Sequence, residues 1–371
     1  MMGGAQYQAK LLVEHMSSVG GFETTYLTRR AAPDFRSQTH RVLLISDRKG
    51  LKRYTFALDG RSLVRALRWI QPHVIYQRVG CAHTGISAWY ARRYGCRLVW
   101  HVAHDRTLEP FPHSFSASLP SRLIDHAWMI YGIRNATTIV AQTEWQQQQL
   151  MRRYGRRSIV IRNFHPEPNQ AAQKPTGPLQ VTWVANLKEW KRPEAFLQLA
   201  EDLREQPIEF HMVGKASPNV KLMNSLLRRI NALANFTFHG ERTQEQVNSL
   251  LSRSHLFVNT SDHEGFANTF VQAWLRAVPV ATLRVNPDEV FNRQKVGFCA
   301  DGDYGRLREW LRGAAQDRVK LGVLGQSALK YAREYHSMKN VERLESLFQR
   351  SQGNDAVDER RNGRNAGGAE S

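Results

Sequence analysis

The most chemically suggestive stretch of this 371-residue chain is NTSDHEGFANTFVQ, residues 259–272. An apolar run ends at Asn259, a polar turn carries Glu264, and helical spacing opens at about Phe266. Open parallel sheets bind ligands beyond the carboxyl ends of their strands, often at a helix start. Gly265 has no side chain, so an anion could reach the backbone N–H groups and the positive helix end. Glu264 is poorly suited to a phosphate but well suited to accept hydrogen bonds from sugar hydroxyls. The same pattern also describes an ordinary capped helix with an exposed Glu.

Three other places share that geometry. In VANLKEWKRP, residues 184–193, a strand and a short loop lead to a helix opened by Pro193. Lys188, Lys191 and Arg192 there could neutralise a diphosphate or form a solvated basic helix start. His101 and His104 stand at the end of an apolar run, 97–102. Their spacing puts them on opposite faces of a strand and no third ligand accompanies them, so a metal is not expected. The fourth place is Gly3-Gly4, a glycine turn that opens a helix. Asp301 and Asp303 form a carboxylate pair better explained as a turn before a helix than as a metal site. There is no GxGxxG, Walker loop, nucleophile elbow or paired-His zinc motif.

Strand-like and helix-like segments alternate along most of the chain. Strands are expected near 41–46, 73–76, 97–102, 137–140 and 158–161, with helices near 5–19, 61–70, 84–95, 119–134 and 143–154. A second series has strands near 181–184, 209–213, 236–238, 256–259 and 279–283. Its helices fall near 193–204, 218–233, 243–253, 266–277 and 303–315. Near-continuous apolar strands alternating with helices imply parallel sheets covered on both faces, so two series imply two doubly wound domains. The expected division is a first domain over 1–162 and a proline-rich linker over 163–178. A second domain covers 179–335 and a helix 336–350 returns to the first, while the polar tail 351–371 is expected to be disordered. A doubly wound domain normally opens with a strand, and here a helix comes first, so the expectation is a first strand encoded upstream.

Composition narrows the class. Hydrophobic residues make up 42% and charged residues 23%, which is globular. Three cysteines without a CxxC pair exclude a disulfide scaffold and a zinc ribbon. No apolar run reaches the roughly 20 residues of a membrane-spanning helix, and there is no basic-then-apolar leader, so a cytoplasmic protein is expected. The net charge of +19 is uneven: residues 1–162 hold 24 basic and 9 acidic residues, whereas 163–371 hold 28 and 24. An anionic partner for the first half follows, either a membrane surface, a nucleic acid or an acidic substrate. Nucleic-acid binding would interleave basic residues with stacking aromatics along one surface, whereas here they fall mainly on helices and loops, so no nucleic-acid partner is expected.

Taken in order, these pieces resemble the family-4 retaining glycosyltransferases of the GT-B fold, the type that builds bacterial surface polysaccharides and glycoconjugates. Gly3-Gly4 looks like the family's N-terminal glycine loop, and 184–193 like its phosphate-binding strand, loop and helix. HMVG at 211–214 and FHGE at 238–241 resemble the two glycine turns beside the nucleobase. TSDHEGFANTFVQAW at 260–274, followed by VPV at 278–280, resembles the donor-binding E-x7-E segment. YHSMKNV at 335–341 resembles the helix that returns to the first domain. Two positions depart from the pattern: Gln272 stands for the second carboxylate, and Asn186 for a phosphate-binding arginine. An amide offers the ribose one acceptor oxygen and an NH2 where a carboxylate accepts twice.

The resemblance implies transfer of a sugar from a nucleotide diphosphate-sugar to an acceptor hydroxyl with retention, without metal or other cofactor. His104 or His101, Glu264 and Lys191 would be catalytic. Gly4, Asn186, Lys188, Lys191, Gly214, Gly240, Glu264, Gly265, Phe266, Ala267, Asn268 and Gln272 would bind the donor. The acceptor would be lipid-linked or a glycan, met with the first domain peripheral on an anionic inner membrane face. A degenerate scaffold of the same fold is the alternative within the family, and a nucleic-acid binder the alternative outside it.

Overall fold

The computed structural model describes residues 3–28, 40–45, 59–109, 119–169 and 171–349. Residue 46 of the expected first strand and the tail 351–371 lie outside the described residues.

The strands form where β-branched and aromatic residues cluster. Leu179–Val184 (β7), Ile208–Val213 (β8), Phe236–Phe238 (β9), Leu256–Asn259 (β10), Val280–Thr282 (β11) and Gly297–Cys299 (β12) build one parallel sheet, ordered β12-β11-β10-β7-β8-β9. Every residue of β10 and β11 is buried, as expected of a sheet covered on both faces. One face packs Trp183, Phe196, Phe210 and Leu307, and the other packs Phe257, Phe270, Trp274 and Tyr331.

In the first half, Val74–Gln77 (β3), Arg97–His101 (β4), Thr138–Ala141 (β5) and Ile159–Val160 (β6) form a parallel sheet of four. Thr25–Thr28 (β1) and Arg41–Leu44 (β2) form a separate parallel pair. The chain is α/β with two Rossmann-like units, the GT-B architecture. Strands β1 and β12 have no counterpart in the sequence reading. Both are short: β1 has no fully buried residue, and β12 holds three residues at the end of its sheet.

The two halves are joined by more than a linker. Asn163, Phe164 and His165 open the proline-rich stretch, yet they are 1%, 0% and 3% exposed. At the far end of the chain, helix Arg318–Tyr335 stops at His336, whose Nδ1 lies 2.7 Å from the Asn163 carbonyl. Asn340 Nδ2 donates to the Tyr335 and Arg162 carbonyls at 2.7 and 3.2 Å. These bonds turn the chain into a separate last helix, Lys339–Gln349. That helix buries Val341, Leu344 and Leu347 against Leu11, Leu12, Met16, Val99, Val140, Ile161 and Phe164 of the first half. Arg97, at the start of β4, donates to the Leu347 and Phe348 carbonyls where the helix ends.

Candidate active site

The loops after β7 and β10 leave adjacent strands at the same end of the second sheet, and side chains stitch them together. Thr260 Oγ1 accepts from Trp183 Nε1 at 3.0 Å and lies 2.8 Å from the Lys191 and Arg192 carbonyls. The Asp262 amide donates to the Trp190 carbonyl at 2.9 Å. Arg192 takes a left-handed conformation (φ 50°) that turns the chain into helix Pro193–Asp202. Held this way, Lys191 Nζ hydrogen-bonds Glu264 Oε1, which also accepts from Ser261 Oγ at 2.9 Å. Both side chains are mostly buried, 19% and 12% exposed. Burial pushes the Glu264 carboxyl up, but the Lys191 charge and the bonds from Lys191 and Ser261 outweigh it and hold it below its ordinary value. The site therefore presents a carboxylate and an ammonium at one point.

The first half closes over this pair. A Cβ on Gly265 would stand 3.0 Å from the Ala103 carbonyl and 3.4 Å from His104 Cα, so only glycine lets the two turns meet this closely. A Cβ on Gly4 would come within 2.6 Å of Asn268 Nδ2, so a side chain there would displace that amide. Asn268 Oδ1 lies 3.1 Å from His165 Nε2, and Gln8 holds the Phe164 backbone with both ends of its amide. Helix Asn268–Trp274 begins two residues later than helical spacing suggests, for a reason in the first half. The Phe266 amide donates to Gln142 Oε1 at 3.3 Å and its carbonyl accepts from Asn163 Nδ2 at 2.9 Å. Both groups are spent across the halves, which also makes the Phe266 amide unavailable to a phosphate.

The two candidate histidines separate. His101 is fully buried, with Nδ1 2.8 Å from the Tyr76 hydroxyl, and burial keeps its imidazole well below the usual pKa. His104 is half-buried beside Glu264 and Lys191. Burial lowers its pKa, the Glu264 carboxylate opposes the shift, and Lys191 adds to it. Its Nδ1 is buried and has no hydrogen-bond partner. Next to it, burial pushes the Asp105 carboxyl up to about 7 despite a 2.7 Å bond from Gln146 Nε2.

The remaining candidates line the second half. The Gly214 amide donates to the Gly240 carbonyl at 3.0 Å, which joins the turns after β8 and β9. Asn186 Oδ1 is buried without a partner. Lys188 Nζ sits 4.6 Å above the Trp190 ring, and burial followed by the Lys191 charge lowers its pKa. Gln272 is 4% exposed and donates to Asn248 Oδ1 at 3.1 Å, so its NH2 is committed to helix Gln244–Arg253. Asp303 caps helix Tyr304–Gln316 through the Arg306 amide, and Asp301 pairs with the Arg306 side chain at 3.1 Å. Among the described residues, no three His, Cys, Asp or Glu side chains group as metal ligands.

Two family profiles match the chain, one on each half. Residues 2–165 match Glycosyltransferase Family 4, and residues 178–317 match Glycosyl transferases group 1. The chain belongs to the family-4 glycosyltransferases. No curated protein matches this glycosyltransferase by sequence. Solved structures share its fold at low identity. Sucrose-phosphate synthase from Thermosynechococcus elongatus is 16% identical, covers 94% of this chain and 93% of its own, and superposes with a TM-score of 0.72. HepE from Anabaena, bound to UDP and glucose, is 18% identical over 83% of this chain and 85% of its own, with a TM-score of 0.67. A TarM variant from S. aureus, in complex with fondaparinux, α-GlcNAc-glycerol and UDP, is 17% identical over 79% of this chain, with a TM-score of 0.65. The glycosyltransferase spans 59% of the TarM chain.

Several groups that build this glycosyltransferase site were not singled out by sequence. Gln142, Asn163, His165, Trp190 and His263 have no motif of their own. Asn163 and His165 sit in a stretch whose prolines read as linker, and the one hint is Phe164 between them, an apolar residue out of place in an exposed strap. The described residues contain no helix long and apolar enough to cross a membrane.

Proposed function

We propose that this chain transfers a sugar from a nucleotide diphosphate-sugar to an acceptor hydroxyl with retention of anomeric configuration. The observation that carries the reading is the Lys191–Glu264 pair at the carboxyl ends of β7 and β10, faced by His104 from the other half. When the bond from the anomeric carbon to the diphosphate breaks, negative charge grows on the leaving oxygen. Lys191 is placed to meet that charge, with Lys188 and the start of helix Asn268–Trp274 in support. Glu264 holds Lys191 and accepts from the hexose hydroxyls. His104 stands over the sugar, whereas the packing of His101 suits it to the core of the first sheet. The acceptor oxygen bonds to the anomeric carbon, and the acceptor's proton leaves with the nucleotide diphosphate. Asn186, with its buried unpaired oxygen, and Gln272 face the nucleotide in place of the arginine and glutamate of the family pattern. The turns at Gly214 and Gly240 flank the base.

Removing Lys191 tests the reading. Lys191→Ala should lower turnover by at least ~100-fold in protein shown to be folded at the assay temperature, although its thermal midpoint should fall because the buried Glu264 carboxylate loses its partner. A folded variant with unchanged turnover would refute the assignment. We take the ammonium and the helix start to serve in place of a metal, so activity should survive EDTA. Complete loss restored by Mn²⁺ would overturn that.

The acceptor is best read as a glycan or lipid-linked hydroxyl presented at an anionic surface. Arg61, Arg65 and Trp69 are exposed on helix Gly60–Ile70, and Trp89, Arg93 and Tyr94 on helix Ala82–Tyr94 beside it. Trp69 is 63% exposed, and Arg68 donates to the Tyr94 hydroxyl at 2.8 Å, which ties the two helices into one basic, aromatic face. Arg156 belongs elsewhere, since it holds the Arg134 and Ala136 carbonyls at the end of a helix. Each basic residue near an anionic leaflet contributes about 1 kcal/mol, screened beyond about 8 Å at physiological salt. Co-sedimentation with anionic but not neutral vesicles, lost at high salt, is the expected result; equal binding to both would exclude the role.

A further inference from the structure

The cleft contains a second imidazole for which the transfer reaction, as set out above, has no use. His263 precedes Glu264 on the turn after β10, and its ring centroid lies 6.0 Å from that of His104 on the opposite half. The rings are tilted by 58° and are not bonded to one another. Each carries one buried nitrogen without a partner, Nδ1 on His104 and Nε2 on His263. A buried imidazole nitrogen left unpaired forfeits a hydrogen bond, so two such rings across one seam invite a polar partner. His263 is also held still. Its ring is stacked on Trp190, 13° from parallel at 6.5 Å, and Lys188 lies over that same indole. Trp190 is in turn fixed by its carbonyl, which accepts from the Asp262 amide.

We propose that His104 and His263, one from each half, grip a single hydroxyl of the transferred sugar between them, and that His263 thereby sets which sugar is accepted. A hydroxyl donates once and accepts twice, so it satisfies two neutral imidazoles as long as at least one of the two facing nitrogens carries its proton. Burial lowers the pKa of both rings, which keeps them neutral near pH 7. The charged groups around His263 are Arg106, Glu264, Asp262 and Glu109, so carboxylates and a guanidinium oppose one another there. A sugar that lacks the hydroxyl leaves one ring nitrogen unpaired and is rejected on that account. Because the two rings come from different halves, the grip forms only where the halves meet, at the Gly265 contact with Ala103 and His104.

This inference rests on the transferase reading, and the test separates the two. The probes are UDP, GDP, UDP-glucose, GDP-mannose and the monodeoxy forms of the two sugars, with affinity measured by calorimetry and turnover by nucleotide release. If the wild type binds none of them, the transferase reading falls and this inference falls with it. If it binds, the wild type should discriminate against one monodeoxy analogue by roughly ten- to a hundred-fold in kcat/KM. His263→Ala should erase that discrimination, weaken the nucleotide-sugar by a similar factor, and leave the free nucleotide diphosphate within about twofold. His263→Gln, which keeps a donor and an acceptor, should recover part of the loss. A variant that weakens nucleotide and nucleotide-sugar equally, or that discriminates as the wild type does, overturns the proposal. So does a wild type indifferent to every deoxy position.

Discussion

The two halves of the molecule solve the same architectural problem with different materials. The second half is a continuous six-stranded sheet whose two faces are each covered by helices from its own stretch of chain. The first half has its described strands in two groups, and its core is finished by a helix from residues 339–349. The chemistry follows that division. The ammonium–carboxylate pair and its hydrogen bonds belong wholly to the second half, where the backbone is pinned on every side. The first half supplies His104 and the contacts that close over it. The comparison teaches that charge is fixed in the self-contained unit, while the unit completed from elsewhere brings the approaching groups.

The largest expected effect breaks the asymmetry at its source. Leu344 is fully buried in the core that the last helix completes, so Leu344→Ala should cost about 2–5 kcal/mol. That loss should fall on the first half alone. Denaturant unfolding followed at residues of each half should split into two transitions, the later one at the wild-type midpoint; a single shifted transition would mean that the halves unfold as one.

The seam between the halves should be sensitive to acid. Burial lowers the His165 pKa to about 4 and the His336 pKa to about 3, both well below the ordinary 6.5. The unfolded chain therefore binds more protons than the native one between pH 6.5 and about 4. Stability is full above pH 6.5 and declines as pH falls through that window. For His165 the loss is roughly 3 kcal/mol. His165→Asn should reduce the difference in urea midpoint between pH 7.5 and 4.5; an unchanged difference would remove His165 from the account.

A smaller effect should sharpen the comparison at one contact. Asp288, from the second half, accepts from the Glu144 and Trp145 amides at 2.9 and 3.0 Å and so caps helix Glu144–Tyr154 of the first. Asp288 and Glu289 both adopt left-handed backbone angles to reach it, φ 51° and 55°. Asp288→Ala should cost about 1 kcal/mol. Hydrogen exchange at the Glu144 and Trp145 amides should accelerate, while amides within β10 keep their protection.

Legibility in the sequence followed burial. Strands with a long run of buried apolar residues, such as β7 and β10, or a full apolar face, such as β8, stand out, whereas β1 and β12 at the margins are too short and too mixed. The helix after Glu264 was placed too early because Phe266 looks like its first apolar position. Only the fold reveals that both Phe266 backbone groups are taken by Gln142 and Asn163. Lys191 and Glu264 could be named from spacing, but not that they bind each other across 73 residues. The Asp105 that follows it favours His104 over His101 only slightly, since three residues of separation say nothing about which ring a tyrosine hydroxyl reaches. His263 and Trp190 lie inside the two motifs that carry Glu264 and Lys191, but nothing in the spacing marks them, and they become visible as a stacked pair only in three dimensions.

The returning helix has a consequence for how the chain is made. His15 and Glu345 lie 3.3 Å apart although 330 residues separate them, and the apolar faces of Leu11, Leu12, Met16 and Val140 have their cover only once residue 349 exists. A ribosome adding about 5–20 residues per second needs roughly ten to forty seconds to pass from the end of the first half to that point. During that interval the second half can fold on its own contacts, while the nascent first half stays open at one face. The first segment to emerge is then the last to be sealed, and a chain released early would carry a finished second unit on an exposed and aggregation-prone partner.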